Sequence, residues 1–291
     1  MSAHDHWLGL DARVCVVSGA AGGIGRAIAQ VLAEAGGRVA LLDLDQTRCD
    51  EVAAALRAHG HDALGVQCDI SDPDSIQHAA SVVERQWGAA DVLVNNAGLL
   101  RPAGIEAIDL EAWNATLAVN LTGYMLSSQA FGRAMLARGS GSIVHVSSVA
   151  ALSPQTWSGA YSASKAAISM LSRQLAAEWG ARGVRSNSVC PGLIRTPLSA
   201  AFYARPEIEA GRRAMTASRR IGEPDDIAHV VAFLASARSA YVNGAELSVD
   251  GGLNSMLMDL VPRPGFTAAD TPDTPDATVA TVVTAHAAAA A

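Results

Sequence analysis

Lysine is almost absent from this 291-residue chain: of 21 basic residues, 20 are arginine and one, Lys165, is lysine. The basic residues fall singly or in pairs and form no stripe, and the net charge of −7 repels a polyanion, so the composition argues against nucleic acid as a partner. No apolar run approaches the roughly 20 residues that a membrane helix needs. Residues 1–10 also lack the charged-then-apolar order of a signal peptide, and the expectation is a cytoplasmic protein that does not enter a membrane. The four cysteines, Cys15, Cys49, Cys68 and Cys190, are widely separated and have no Cys or His at metal-ligand spacing. That pattern points to isolated reduced thiols in or near a core and to no metal site.

What the chain does contain is a half-apolar composition with 17% charged residues, enough to build a substantial core. Apolar runs of strand length alternate with longer stretches of helical period. The strand candidates are 13–18, 38–43, 63–67, 92–95, 142–147, 185–189 and 246–249. Between them, 24–35, 49–59, 74–87, 110–137, 160–179 and 224–236 carry apolar residues three and four apart and read as helices. Asp72-Pro73 and Glu223-Pro224 look like helix starts, because proline costs nothing in a first turn. The alternation predicts an α/β fold, a single-domain Rossmann-type doubly wound parallel sheet of about seven strands with helices on both faces, over residues 8–264. From Gly265 the chain is rich in Ala, Thr, Pro and Asp without Lys or Arg, and residues 265–291 are expected to be a disordered tail.

The first strand runs into Ser18-Gly19-Ala20-Ala21-Gly22-Gly23-Ile24-Gly25, which opens a helix. Glycine there permits a tight turn and close approach of a pyrophosphate, and the helix start supplies free N–H groups. The second strand ends at Asp43, where a carboxylate can accept hydrogen bonds from adenosine ribose hydroxyls. With Asp45 close behind and no cation at Ala20 or Ala21, the acids repel a ribose 2′-phosphate, which favours NAD over NADP. Asn95-Asn96-Ala97-Gly98 ends the fourth strand, on the edge where open α/β sheets bind ligands.

The fifth strand ends in Ser147-Ser148, and Tyr161-Ser162-Ala163-Ser164-Lys165 follows at a helix start. Residues four apart share one helix face, so the Tyr161 hydroxyl and the Lys165 ammonium can face one cleft. A cation beside a phenol stabilises the phenolate, so Lys165 is expected to lower the pKa of Tyr161 and fit it to act as a base in alcohol oxidation. Lysine is a compact ammonium on a flexible stem, a shape that arginine does not reproduce. That this chain uses its single lysine here strengthens the reading.

Together these residues resemble the classical short-chain dehydrogenase/reductase family over roughly residues 8–253. The resemblance implies that Ser148, chosen over Ser147 from its spacing to Tyr161, hydrogen-bonds the substrate oxygen, that Tyr161 is the acid/base, that Lys165 binds the nicotinamide ribose and that Asn120 completes a proton relay. It implies cofactor contacts at Gly19, Gly22, Gly23, Ile24, Gly25, Asp43, Asp69, Ile70, Asn95, Ala97, Gly98, Tyr161 and Lys165, with Pro191, Gly192, Ile194 and Thr196 at the nicotinamide end. Ser18 stands where the family more often has threonine, which keeps the hydroxyl. The Tyr-to-Lys interval of four favours carbonyl and alcohol chemistry over double-bond reduction. A homotetramer with helices 110–137 and 160–179 in an interface is also implied.

Residues 193–220 read as a mobile lid that sets substrate choice, with Phe202, Tyr203 and Met215 suited to a hydrophobic or cyclic body. Arg212 and Arg213 either meet an anion or sit in solvent. Gln155 and Trp157 are candidates for the pocket wall or for packing, and His145 reads as structural. The alternatives to an NAD(H)-dependent alcohol dehydrogenase are a 3-oxoacyl-thioester reductase, a non-catalytic dinucleotide sensor, and a scaffold built on the apolar stretch 253–266.

Overall fold

The computed structural model describes residues 7–197 and 199–261. Seven strands, β1 (Val14–Ser18), β2 (Arg38–Asp43), β3 (Ala63–Gln67), β4 (Val92–Asn95), β5 (Gly141–Val146), β6 (Val184–Pro191) and β7 (Glu246–Val249), form one sheet in the order β3-β2-β1-β4-β5-β6-β7 with every pairing parallel. Successive side chains of a strand point to opposite faces. In β1, Cys15 and Val17 enter one core with Ile28, Leu32, Ile227 and Val231, while Val14 and Val16 enter the other with Ile76, Tyr124, Phe131 and Ile168. Both faces are therefore covered by helices, which is why β1 is apolar at four consecutive positions and buried throughout.

Helices α1 (Gly23–Glu34), α2 (Gln46–Ala58) and, late in the chain, a helix at Pro224–Ala235 cover the first face. Helix α3 (Pro73–Trp87) lies on the second. The two expected proline starts are capped as polar chemistry demands: the Asp72 carboxylate accepts the Asp74 N–H, and Glu223 and Asp226 form a reciprocal capping box.

The stretch expected as one helix over 110–137 is interrupted. It consists of α4 (Leu110–Leu117), a π-helical segment at Ala118–Thr122, and α5 (Gly123–Arg138). Apolar periodicity runs through the change of pitch, so the interruption is invisible to it. The buried residue within the π segment is Asn120. Helix α6 (Tyr161–Trp179) packs beside α5 on the second face.

Residues 193–220, expected as a lid without assigned structure, contain two short helices, α7 (Ala200–Tyr203) and α8 (Pro206–Ala214), ahead of α9 (Pro224–Ala235). The Arg195 guanidinium ties this segment down, pairing with Glu209 of α8 at 2.7 Å and with Glu223 at 3.4 Å. The compact unit carrying the sheet extends to Ser255. A second unit starts at Met256, and its described part contains a 3-10 turn at Leu257–Leu260. The expected tail, 265–291, lies outside the described residues.

Candidate active site

The strand order reverses between β1 and β4, and the crevice at their carboxyl ends is where an open sheet of this kind receives a ligand. Gly19 takes φ +65°, a conformation that suits glycine, and a Cβ on Gly25 would lie 2.1 Å from the Gly19 carbonyl oxygen. Neither position tolerates a side chain. The Ser18 hydroxyl accepts the N–H groups of Asn96 and Ala97 at 3.0 and 3.2 Å, and Asn96 Nδ2 donates to the carbonyls of Ser18 and Gly19, both at 3.0 Å. The glycine loop and the turn after β4 are thus sewn together.

At the start of α1 no side chain caps the first-turn N–H groups. A bare glycine cradle with free helix N–H groups fits the diphosphate of a dinucleotide. Gly19, Gly22, Gly23, Ile24 and Gly25 are the residues that would hold it. Asp43 borders the same loop, its carboxylate accepting the Ala21 N–H at 3.1 Å and the Asp45 N–H at 3.3 Å. Ile70 is buried, and Asp69 Oδ1 accepts both the N–H and the hydroxyl of Ser71, which fixes the turn after β3.

At the other end of the crevice, Pro191 closes β6, Gly192 donates its N–H to Val249, and Ile194 bridges Gly222. A Cβ built on Gly23 would sit 3.6 Å from the Thr196 Cβ, so the segment after β6 reaches back over the glycine loop. Asn95 departs from expectation in one respect. Its side chain is fully buried and faces Ser128 and His145 rather than the crevice, which leaves backbone groups for any contact there.

The chemical groups converge beside Gly98, where a Cβ would meet Lys165 Nζ at 3.6 Å and Asn120 Oδ1 at 3.7 Å. Tyr161 is the first residue of α6, and Lys165 follows one turn later, its Nζ 5.6 Å from the Tyr161 ring centre. Lys165 is 3% exposed, donates to the Val146 carbonyl at 2.9 Å, and is pushed by burial down to about 8. Ser147 donates to the Lys165 carbonyl from a buried position, whereas the Ser148 hydroxyl accepts the Ala150 N–H at 3.1 Å and favours the Tyr161 phenolate.

One expectation is corrected here. Lys165 does not lower the Tyr161 pKa in the protein alone; burial raises it, and the opposing influence is the Ser148 hydroxyl. The physical reason is that desolvation penalises both charged forms, phenolate and ammonium alike, and moves both groups toward neutrality.

The Asn120 side chain is committed to structure. Its Oδ1 accepts the Leu99 N–H at 2.7 Å, and its Nδ2 donates to the Leu99 carbonyl and to Ser164 Oγ, both at 2.9 Å. Ser164 in turn donates to the Tyr161 carbonyl at 2.6 Å. Asn120 therefore links the strand-end turn, the π segment and the first turn of α6.

Sequence reasoning missed three residues. Ser164 was inside the quoted Tyr-to-Lys run. Tyr124, fully buried, donates to the Val146 carbonyl and holds its ring 5.5 Å from Lys165 Nζ; its signal was the interval of four from Asn120. Arg48 places Nη2 3.2 Å from the point a Gly22 Cβ would occupy, putting a cation at the loop where none was expected. No local pattern distinguishes it from a solvated helix arginine.

His145 is structural as read. It is fully buried between Asn95 and Ser186, and desolvation lowers it to about 3, so it is neutral. The Arg212 guanidinium lies 4.5 Å from the Phe202 ring centre and bonds the Tyr203 hydroxyl. Trp157 is 70% exposed at φ +58°, which places it outside the packing role. All four cysteines are free, buried thiols with pKa raised by desolvation. Among the described residues no cluster of three His, Cys, Asp or Glu could hold a metal, and no helix is long and apolar enough to cross a membrane.

A family model described as enoyl-(acyl carrier protein) reductase matches residues 19–254. The chain is 42% identical over 243 residues to D-threitol dehydrogenase of Mycolicibacterium smegmatis, covering 84% of this chain and 93% of that protein. It is 41% identical to cis-4-hydroxycyclohexanecarboxylate dehydrogenase of Sinomonas cyclohexanicum, covering 84% of this chain and 97% of that one. Among solved structures, gluconate 5-dehydrogenase from Burkholderia cenocepacia in complex with NADP and tartrate superimposes with a TM-score of 0.81 at 34% identity, over 84% of this chain and 96% of that one. With the parallel seven-stranded sheet and the Ser148, Tyr161 and Lys165 cluster beside a glycine cradle, these likenesses lead to one conclusion: the chain belongs to the short-chain dehydrogenase/reductase family of oxidoreductases.

Proposed function

We propose that this protein is an NAD(H)-dependent dehydrogenase of a secondary alcohol with a hydrophobic or cyclic body, working through Asn120, Ser148, Tyr161 and Lys165. The observation that carries the reading is the convergence of Tyr161 with buried Lys165 and Asn120 against the glycine-bordered crevice, with Lys165 Nζ 5.6 Å from the Tyr161 ring centre and the Ser148 hydroxyl favouring the phenolate. A bound nicotinamide dinucleotide supplies the hydride acceptor or donor. The chain's own residues manage the proton and the geometry. Ser148 orients the substrate oxygen, Tyr161 takes the hydroxyl proton in oxidation and returns it in reduction, and Lys165 offers an ammonium to ribose hydroxyls and to the phenolate as it forms. Asn120, locked to Leu99 and Ser164, keeps these groups in register.

Asp43 supports NAD(H) as the faster cofactor, since its carboxylate repels a 2′-phosphate. A screen of secondary alcohols, cyclic diols and ketones, read as NADH absorbance, is expected to give turnover with NAD(H) above that with NADP(H). Much faster turnover with NADP(H) defeats the assignment of Asp43. The relatives named as polyol and cyclic-alcohol dehydrogenases guide the choice of compounds.

The protein is proposed to act in the cytoplasm as a homotetramer with α5 and α6 in a subunit interface. Sedimentation at working concentration is expected to show a species of four chains, and a monomer refutes this.

A further inference from the structure

Lys165 is a buried ammonium with no carboxylate to neutralise it: among the described residues it joins no ion pair, and the acceptor of its Nζ is the neutral Val146 carbonyl at 2.9 Å. An ammonium carries three N–H donors and loses hydration on burial, so other sources of negative potential decide whether it stays charged. Two phenol rings supply them. The Tyr161 ring centre lies 5.6 Å from Nζ and the Tyr124 ring centre 5.5 Å, both within reach of cation–π attraction, which is strongest where water is excluded. The other ionisable group that acts on the ammonium is the Cys190 thiol, neutral because burial pushes it up to about 12.

The Tyr124 ring is braced from several sides. It belongs to the second residue of α5, directly after the π segment, and is fully buried. Its hydroxyl donates to the Val146 carbonyl at 3.3 Å, the same oxygen that accepts Lys165 Nζ. The Tyr124 carbonyl accepts Ser128 Oγ at 2.7 Å, and neutral His145 stacks on the ring with centres 5.9 Å apart. Asn95 Nδ2 donates to His145 Nδ1 at 3.2 Å, so the inward turn of Asn95 supports the ring that faces the lysine. An aliphatic side chain would satisfy core packing at this position. It would offer the ammonium no π face.

Building on the reading of Lys165 as the ammonium that serves the ribose and the Tyr161 phenolate, we propose that Tyr124 is a positioning residue for Lys165. Its ring keeps the buried ammonium charged, and its hydroxyl, seated on the shared Val146 carbonyl, keeps the ring against Nζ.

The single lysine makes the test direct. Full-length protein grown on lysine labelled with ¹³C at Cε gives one lysine side-chain signal, whose pH titration reads the ammonium without ligand or turnover. In the wild-type chain this signal is expected upfield of its unfolded position, shifted by the ring faces, and in contact with the Tyr124 ring protons. Tyr124→Leu is expected to lose that part of the upfield shift and to titrate about one pH unit lower, a change of about tenfold in proton affinity. Tyr124→Phe retains the ring and is expected to titrate nearer to wild type than to Tyr124→Leu. Turnover of Tyr124→Leu relative to wild type is expected to decline as pH rises from about 6 to about 8, because its ammonium is lost earlier, whereas a purely structural defect lowers turnover by one factor throughout. A Tyr124→Leu midpoint at or above that of wild type, or a Tyr124→Phe midpoint as low as that of Tyr124→Leu, overturns the proposal and leaves the dehydrogenase reading standing. If Tyr124→Leu does not fold, the wild-type signal decides: no upfield shift and no contact with the Tyr124 ring protons overturns the proposal. The expected titrations with no turnover of any alcohol or ketone support the hold of Tyr124 on the ammonium and bring down the dehydrogenase reading instead.

Discussion

Tyr161→Phe is expected to yield a folded protein whose turnover falls by about 10²–10⁴-fold, the range for loss of one positioned proton-transfer group. The substitution removes an oxygen and little else. The Tyr161 backbone N–H still donates to Ser158 and its carbonyl still accepts Ser164. NADH affinity, read by fluorescence, and the thermal midpoint are therefore expected to change little. The wild-type pH profile carries the second half of this prediction. Burial raises the Tyr161 pKa above its ordinary value of 10.0, so the base form needed for alcohol oxidation becomes more populated as pH rises, and oxidation is expected to speed up toward pH 10. Ketone reduction needs the protonated form and is expected to hold until that pH and then fall. Tyr161→Phe is expected to lose both dependences. A variant that retains wild-type turnover removes Tyr161 from the mechanism.

Lys165→Met is expected to abolish turnover and at the same time stabilise the fold at neutral pH. The lysine is buried with a carbonyl for partner, and desolvation lowers it from 10.5 to about 8. A cationic group with a depressed folded pKa contributes full stability only above its unfolded pKa, and that contribution is lost as pH falls through its folded pKa. At pH 7 the folded protein therefore bears a burden on the order of 3 kcal/mol from holding the ammonium out of water. Methionine has similar length and no charge, and the Val146 carbonyl keeps the Tyr124 hydroxyl as a donor at 3.3 Å. The stability gap between variant and wild type, from denaturant titrations, is expected to be largest at pH 7 and to close between pH 8 and 10.5. The buried thiols, raised to about 11 or 12, make both proteins less stable above pH 9, and the difference between the two isolates the lysine. A variant less stable than wild type at pH 7 contradicts this account.

These two residues were legible before the fold because chemistry confines them: a phenol and an ammonium need one helical interval, and the interval is local. The strands were legible for a related reason. Residues buried on both faces leave continuous apolar runs, and β2, β3, β4 and β7 have the bounds expected of them. What stayed hidden depends on contacts remote in sequence. Asn120 sits in a π segment whose apolar periodicity is that of an ordinary helix, and its commitment to Leu99 and Ser164 is tertiary. The inward turn of Asn95 follows from His145, fifty positions away. Arg48 lies 26 residues beyond the glycine it approaches, and α7 and α8 were masked by the polar composition that made 193–220 read as a lid.

The stitching of the glycine loop to the turn after β4 through Ser18 and Asn96 has a thermodynamic consequence. Both halves of the crevice wall are frozen into one piece during folding, so their conformational entropy is lost before any ligand arrives. Binding a dinucleotide then orders only what still moves, and the heat of binding is expected to reflect contacts made rather than backbone rearranged.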